Sequence, residues 1–231
     1  MQRTRLFSHH QAARFYDMLG ARLDTQSFYE DAPLRELVAR LKMQDCRAVL
    51  EFGCGTGRLA AELFESFLSP EATYLGLDVS GAMVALATTR LERWSARAVV
   101  QQCDGEPHIE AAHGSFDRFI CTYVLDLLSE NDIRAIIGEA RRILVPDGLV
   151  GLASLTSGPT PASRLLSTTW RTLHTISPWL VGGCRPIVIE RFLPRSEWAI
   201  EYVHVVTRFG VPTEIVVAKP VRLPRSSSAS Q

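Results

Sequence analysis

The run Val49-Leu50-Glu51-Phe52-Gly53-Cys54-Gly55-Thr56-Gly57 constrains this chain more than any other stretch. Its first part reads as a short buried strand. Its second part places glycine at alternate positions, and Leu59, Leu63, Phe64, Phe67 and Leu68 then recur at helical spacing. Alternate glycines let a backbone turn sharply and approach a ligand closely, because no Cβ intervenes. The spacing is G-x-G-x-G; a dinucleotide-binding turn, G-x-G-x-x-G, would need glycine where Arg58 stands. Locally this is strand, glycine turn and helix.

The same alternation continues along the chain. A helix is expected over roughly His10 to Leu23, and Asp31 and Pro33 look like the cap and first turn of a second, with Leu34, Leu37, Val38 and Leu41 inward. Thr73 to Asp78 reads as a strand, and Ser80 as the N-cap of a helix reaching about Trp94. Ala98 to Gln102 and Phe116 to Thr122 are two further strands. A helix follows with Ile133, Ile136, Ile137, Ala140, Ile143 and Leu144 inward, then the turn Val145-Pro146-Asp147-Gly148 and a strand from Leu149 to Leu155. Alternating strands and helices predict a parallel sheet with right-handed crossovers. The end of the chain differs. Only Gly210-Val211 separates the β-rich runs Trp198 to Phe209 and Pro212 to Val221, too short for a crossover, so these two strands are expected to be antiparallel.

At 231 residues the chain suits one domain, expected over 1–224, with a disordered tail at 225–231. Lys plus Arg, 25, equals Asp plus Glu, 25, so no global basic field recruits nucleic acid. No apolar run is long enough to cross a bilayer, and the N-terminus has no apolar signal core, so a cytoplasmic protein is expected. The five cysteines, Cys46, Cys54, Cys103, Cys121 and Cys184, are dispersed without C-x-x-C spacing, which suits reduced thiols better than disulfides or a zinc site.

In an open α/β sheet the ligand lies beyond the carboxyl ends of the strands. Here Glu51 to Gly57 follow the first strand, Asp78 ends the second, Asp104-Gly105 follow the third and Cys121-Thr122 end the fourth. V-L-E-F-G-C-G-T-G, L-D-V-S-G-A-M, C-D-G-E and F-D-R-F-I-C-T-Y, in this order, resemble the motifs of class I S-adenosylmethionine-dependent methyltransferases. A-R-R-I-L-V-P-D-G resembles the stretch before the fifth strand in relatives of the ubiquinone and menaquinone C-methyltransferases. The resemblance covers roughly Tyr16 to Leu155 and the terminal hairpin. It implies a single Rossmann-like α/β sheet of seven strands in the order 3-2-1-4-5-7-6, the last antiparallel, with helices on both faces.

The resemblance also implies roles for particular residues. Gly53, Cys54, Gly55 and Gly57 form the loop against S-adenosylmethionine, with Glu51 facing its cationic methionine part. Asp78 is expected to hold the ribose diol, with helix capping as the other reading, and Val79 follows it. Met83 either packs on adenine or belongs to the core. Asp104 either accepts from the adenine amine, with the Gly105 amide nearby, or serves a turn. Thr122 is expected to contribute its backbone, and Tyr16 to close over the methionine moiety or pack between helices. No metal site is expected. His9, His10, Asp126 and His174 are candidate bases by type, but surface or structural roles suit each better.

The fourth strand lacks the N/D-P-P-Y of enzymes that methylate amino groups of bases or glutamine, and Cys121 has no proline before it, as an RNA cytosine C5 enzyme would. A small-molecule or lipid-like acceptor remains, with contact to a membrane surface as one route to a lipid. Residues 1–45 are expected to form a lid and 156–197 to shape the acceptor pocket, with Leu165, Leu166, Trp179, Leu180, Ile187 and Phe192 as apolar lining; Trp170, Leu173 and Ile176, at helical spacing, either join them or seal a helix onto the sheet, and Arg185 either pairs an acceptor anion or is solvated. Two competing classes are a nicotinamide oxidoreductase and a catalytically silent S-adenosylmethionine-binding partner protein.

Overall fold

The computed structural model describes residues 8–157 and 183–221. The apolar run forms β1 (Ala48–Phe52), with four of its five residues buried. It pairs in parallel with β2 (Thr73–Asp78) on one side and β4 (Phe116–Thr122) on the other. β3 (Ala98–Gln102) lies beyond β2, and β5 (Leu144–Leu155) beyond β4. The hairpin β6 (Trp198–Arg208) and β7 (Val211–Pro220) completes the order 3-2-1-4-5-7-6, with β7 antiparallel to both neighbours. Chain order reverses between β1 and β4, so the loops leaving their carboxyl ends diverge and open a crevice there.

Among the described residues, five α-helices flank the sheet: α1 (His9–Leu19), α2 (Ser27–Arg40), α3 (Arg58–Ser66), α4 (Gly81–Arg90) and α5 (Glu130–Ile143). Their apolar faces build two core clusters. One joins Ile133, Ile136 and Ile143 of α5 to Phe119, Val150 and Trp198. The other joins Leu34 and Leu37 of α2 and Leu63 of α3 to Val49, Ile120 and Val217. Helices therefore cover both faces. Ser80 caps α4 by accepting from the Met83 N–H at 3.2 Å, and Ser129 caps α5 through the Asp132 N–H at 3.1 Å. Arg141 and Arg142 in the last turn of α5 suit the negative end of its dipole.

Several expected boundaries move, each for a local reason. α1 stops at Leu19, because Gly20 turns away with φ 53°, and a 3₁₀ segment, Gly20–Gln26, takes the chain on to α2. α2 begins at Ser27, so Pro33 lies inside the helix instead of in its first turn. Pro33 has no N–H to donate, but burial of Pro33, Leu34, Leu37 and Val38 outweighs that single missing bond. α3 ends at Ser66 and α4 at Arg90; a separate 3₁₀ turn covers Glu92–Trp94. Leu144 opens β5 instead of closing α5, and the Val145–Gly148 stretch is a register irregularity between the pairs Phe116–Leu144 and Arg118–Leu149. The hairpin turns on Phe209 and Gly210, at φ 48° and 81°, with Arg208 paired to Val211. Two successive positive φ values match the twist of a tight hairpin. Tail residues 225–231 lie outside the described residues, as do Leu165, Leu166, Trp170, Leu173, Ile176, Trp179 and Leu180; Ile187 and Phe192 are buried in the α5 core cluster and do not line a pocket.

Leu37 is fully buried where α2 crosses the sheet. Leu37→Ala is expected to lower the free energy of unfolding by about 2–5 kcal/mol in urea titrations, because the cavity it leaves can collapse only partly.

Candidate functional site

The crevice is organised by the glycine loop. Gly53, Gly55 and Gly57 all take positive φ, 77°, 53° and 74°. A Cβ at Gly53 would collide with Val124 Cγ2, so the β4 loop closes directly over the first glycine. The Gly53 and Cys54 N–H groups donate to the Leu77 carbonyl at 2.7 and 3.0 Å, holding the loop against the end of β2. Asp78 completes the tie. Its Oδ2 accepts from the Gly55 N–H at 2.8 Å and its Oδ1 from the Ser80 N–H at 2.9 Å. An ionised carboxylate has about four lone-pair sites, so both oxygens retain capacity for a further donor.

These elements and the N-terminal segment enclose a cavity of about 390 Å³. Its wall includes Glu51, Gly53, Cys54, Gly55, Asp78, Val79, Met83, Cys103, Gly105 and Thr122; Tyr16 and His9 of α1 join it from above, with Leu23 and Tyr29. Three polar ties fasten this roof. Asp17 Oδ1 accepts from Ser80 Oγ at 2.6 Å and from the Ala82 N–H at 3.2 Å. Asp24 accepts from Thr56 Oγ1 at 2.5 Å and from Arg90 Nη2 at 2.6 Å. Arg58 pairs with Glu30 at 2.9 Å and with Asp31.

Of the twelve residues expected around a cofactor, ten stand in this wall. Gly57 and Asp104 do not. Gly57 instead lets α3 approach α4, where a Cβ would stand 3.0 Å from Ala87 Cα. Asp104 is exposed and its Oδ1 accepts from the Glu106 N–H at 2.9 Å, so it shapes a turn and Cys103 takes the place in the wall. Met83 both lines the cavity and is fully buried, so its two readings coincide.

Residues 49–148 match the family model of the methyltransferase domain. The chain is 29% identical over 144 residues to the trans-aconitate 2-methyltransferase of Deinococcus radiodurans, covering 62% of this chain and 52% of that one. Over these residues the chain is similar to methyltransferases. Solved structures with the same fold include the cyclase SpnF, TM-score 0.69 at 18% identity over 94% of this chain and 98% of that one. A geranyl diphosphate methyltransferase in complex with GPP and sinefungin aligns with TM-score 0.68 at 12% identity, over 92% and 99%. The chain spans just over half the length of the curated relatives it matches first.

The electrostatics of this site are dominated by buried acids. Glu51 is 2% exposed and accepts from the Tyr74 hydroxyl at 2.6 Å. Burial pushes its carboxyl up to about 8, and the nearby Asp78 charge adds to the rise. A cation bound beside it would favour the ionised form. Burial also raises Asp78, although N–H donors from Ser80 and Gly55 oppose the shift. Glu30 is lifted to about 7 by burial, against the pull of Arg58. Three thiols, Cys54, Cys103 and Cys184, line the cavity, and burial drives all three above the usual thiol range.

Sequence spacing missed Tyr29, Glu30, Arg58 and Tyr123, all of which face the cavity. Placing the cap of α2 at Asp31 instead of Gln26, five residues late, hid Tyr29 and Glu30 ahead of the helix. Tyr123 has φ 56°, a strained value for an aromatic residue that no composition signal announces. Asp126 is wholly buried outside the wall, its Oδ2 facing the Leu155 N–H at 3.3 Å and its Oδ1 meeting no donor among the described residues. Arg185 is not in the cavity wall and donates to the Leu128 carbonyl. His9 lines the wall, His10 is exposed, and His174 lies outside the described residues.

The raised Glu51 value links stability to pH. Folded protein keeps the Glu51 proton over a window, from 4.5 to about 8, in which the unfolded chain has released it. Its contribution is therefore complete below that window and declines as pH rises through it. In urea titrations of ligand-free protein, wild type is expected to lose stability relative to Glu51→Gln between pH 4.5 and about 8. A constant difference across that range would show an ordinary carboxylate.

Proposed function

We propose that this protein transfers a methyl group from S-adenosylmethionine to O, N or C of a small, apolar or lipid-like acceptor. The observation that carries this reading is one enclosed cavity with two chemically different parts to its wall. Part of its wall is the Asp78 carboxylate, the glycine-loop backbone and Glu51; another part is aromatic and aliphatic, with Tyr29, Tyr123, Leu127 and Leu155. The volume, about 390 Å³, is in the range of small-ligand sites.

The cavity suits the cofactor by chemistry as well as shape. A Cβ on Gly53 would run into Val124, and one on Gly55 would meet Leu23 at 3.3 Å. The free lone pairs of Asp78 suit the ribose hydroxyls, Val79 and Met83 offer apolar surface to adenine, and Glu51 suits the methionine ammonium. S-adenosylmethionine, when bound, supplies an electrophilic methyl group on a positively charged sulfur. The protein's task is then alignment and exclusion of water. The roof of α1 and the 3₁₀ segment serves as the lid, and from residues 156–197 Cys184 joins the acceptor part. Where the acceptor is a phenol, acid or enol, Glu30 is the wall residue suited to take its proton, because its value near 7 balances basicity against occupancy.

A second reading keeps S-adenosylmethionine binding without methyl transfer, since the cyclase SpnF has the same fold. Formation of S-adenosylhomocysteine with an acceptor present separates the two.

S-adenosylmethionine and S-adenosylhomocysteine are expected to raise the melting temperature, and NAD(P) to leave it unchanged. Stabilisation by NAD(P) alone overturns the reading. Asp78→Asn is expected to weaken S-adenosylhomocysteine binding by roughly 10- to 100-fold in calorimetry, on the order of 1–3 kcal/mol. Unchanged affinity in the folded variant would make Asp78 solely a bridge between loop and helix.

A further inference from the structure

We propose that the β6–β7 turn and the start of α2 dock on an anionic membrane surface, and that an amphiphilic, lipid-like acceptor enters the cavity from there. The second half of this inference rests on the methyl-transfer reading above; the docking itself does not.

The argument begins with Phe209. It occupies the first position of the tight turn, at φ 48°, with 77% of its surface exposed. Asparagine, aspartate or glycine suits that position, since a bulky side chain is strained by left-handed backbone and an exposed ring gains nothing in water. The fold's own needs therefore do not explain a phenylalanine here. Its ring meets that of Phe28, 5.5 Å away and itself 58% exposed. Two large apolar side chains thus stand together in solvent at one end of the molecule.

The charges around them complete the pattern. Arg208 precedes Phe209 and is exposed. Arg35 lies seven residues after Phe28 on α2, two turns along the same side, and Arg22 lies in the 3₁₀ segment leading into that helix. Among the described residues, none of these three arginines has a salt-bridge partner. The acids of the same region are all engaged: Asp24 by Arg90, Glu30 and Asp31 by Arg58, Glu36 by Tyr202 and His204. Exposed aromatic rings fringed by free guanidinium groups fit the interface of an anionic bilayer, where rings enter the headgroup layer and cations meet lipid phosphates.

A route inward is also present. Phe28 touches Tyr29 at 5.1 Å, and Tyr29 touches Tyr123 at 6.0 Å between ring centroids. Tyr29 and Tyr123 line the cavity. Four aromatic rings in successive contact therefore link the surface pair to the cavity wall, the direction from which an acyl or prenyl chain would enter.

Co-sedimentation of the full chain with phosphatidylcholine vesicles, with and without phosphatidylglycerol, tests the docking. Binding is expected to require the anionic lipid and to weaken with added salt. Arg208→Ala is expected to cost about fivefold, and the double variant Phe28→Ser, Phe209→Ser about tenfold or more. Circular dichroism and the S-adenosylhomocysteine thermal shift, both unchanged in these surface variants, confirm that fold and cofactor part are intact. Absence of vesicle binding, or equal binding by wild type and the double variant, overturns the proposal. So does a dimer in light scattering that Phe209→Ser dissociates, since a second copy would then be the occupant. Loss of the thermal shift in wild type itself would strike the methyl-transfer reading and leave the docking result standing.

Discussion

Two backbone N–H groups on one buried carboxylate hold this site together. Asp78 joins the Gly55 N–H to the Ser80 N–H, so the glycine loop after β1 and the start of α4 after β2 share a single anion. Without it, three alternate positive-φ glycines would have many conformations to choose from and little to select one. The N-terminal roof depends on the same centre. Ser80, whose N–H Asp78 accepts, gives its hydroxyl to Asp17 of α1. Cradle, helix start and roof are thereby coupled through two adjacent turns.

Much of the sheet was legible in the sequence, for an identifiable reason. β2, β3 and β4 begin and end where apolar runs meet polar or turn residues, and their observed limits agree with that pattern. Parallel strands buried by helices on both faces leave little room for ambiguity. The hairpin was legible because two residues cannot carry a crossover, although its turn is centred one residue earlier than the Gly-Val pair suggested. The start of α2 was not legible. Proline is a strong local signal for a helix start, and only tertiary burial of Leu34, Leu37 and Val38 explains why Pro33 is tolerated inside the helix.

The site divides in the same way. Residues at strand ends, such as Glu51, Asp78 and Thr122, could be found because topology alone brings strand ends together. The roof could not. Asp24, Thr56 and Arg90 meet from three separate elements, and no spacing in the chain connects them. Asp104 shows the converse failure: it had the right type at the right strand end, but a local hydrogen bond to the Glu106 N–H turned it toward solvent. A short acid followed two residues later by a free N–H tends to satisfy itself locally.

The cysteines of the wall have a consequence for any reactive ligand held there. Sulfur attacks carbon as the thiolate, and Cys54, Cys103 and Cys184 are each kept in the neutral form by burial. A pocket with three soft nucleophiles in its walls can thus shelter an alkylating agent without being alkylated by it. Dryness, which ordinarily speeds reaction between bound partners, here also spares the container from its contents.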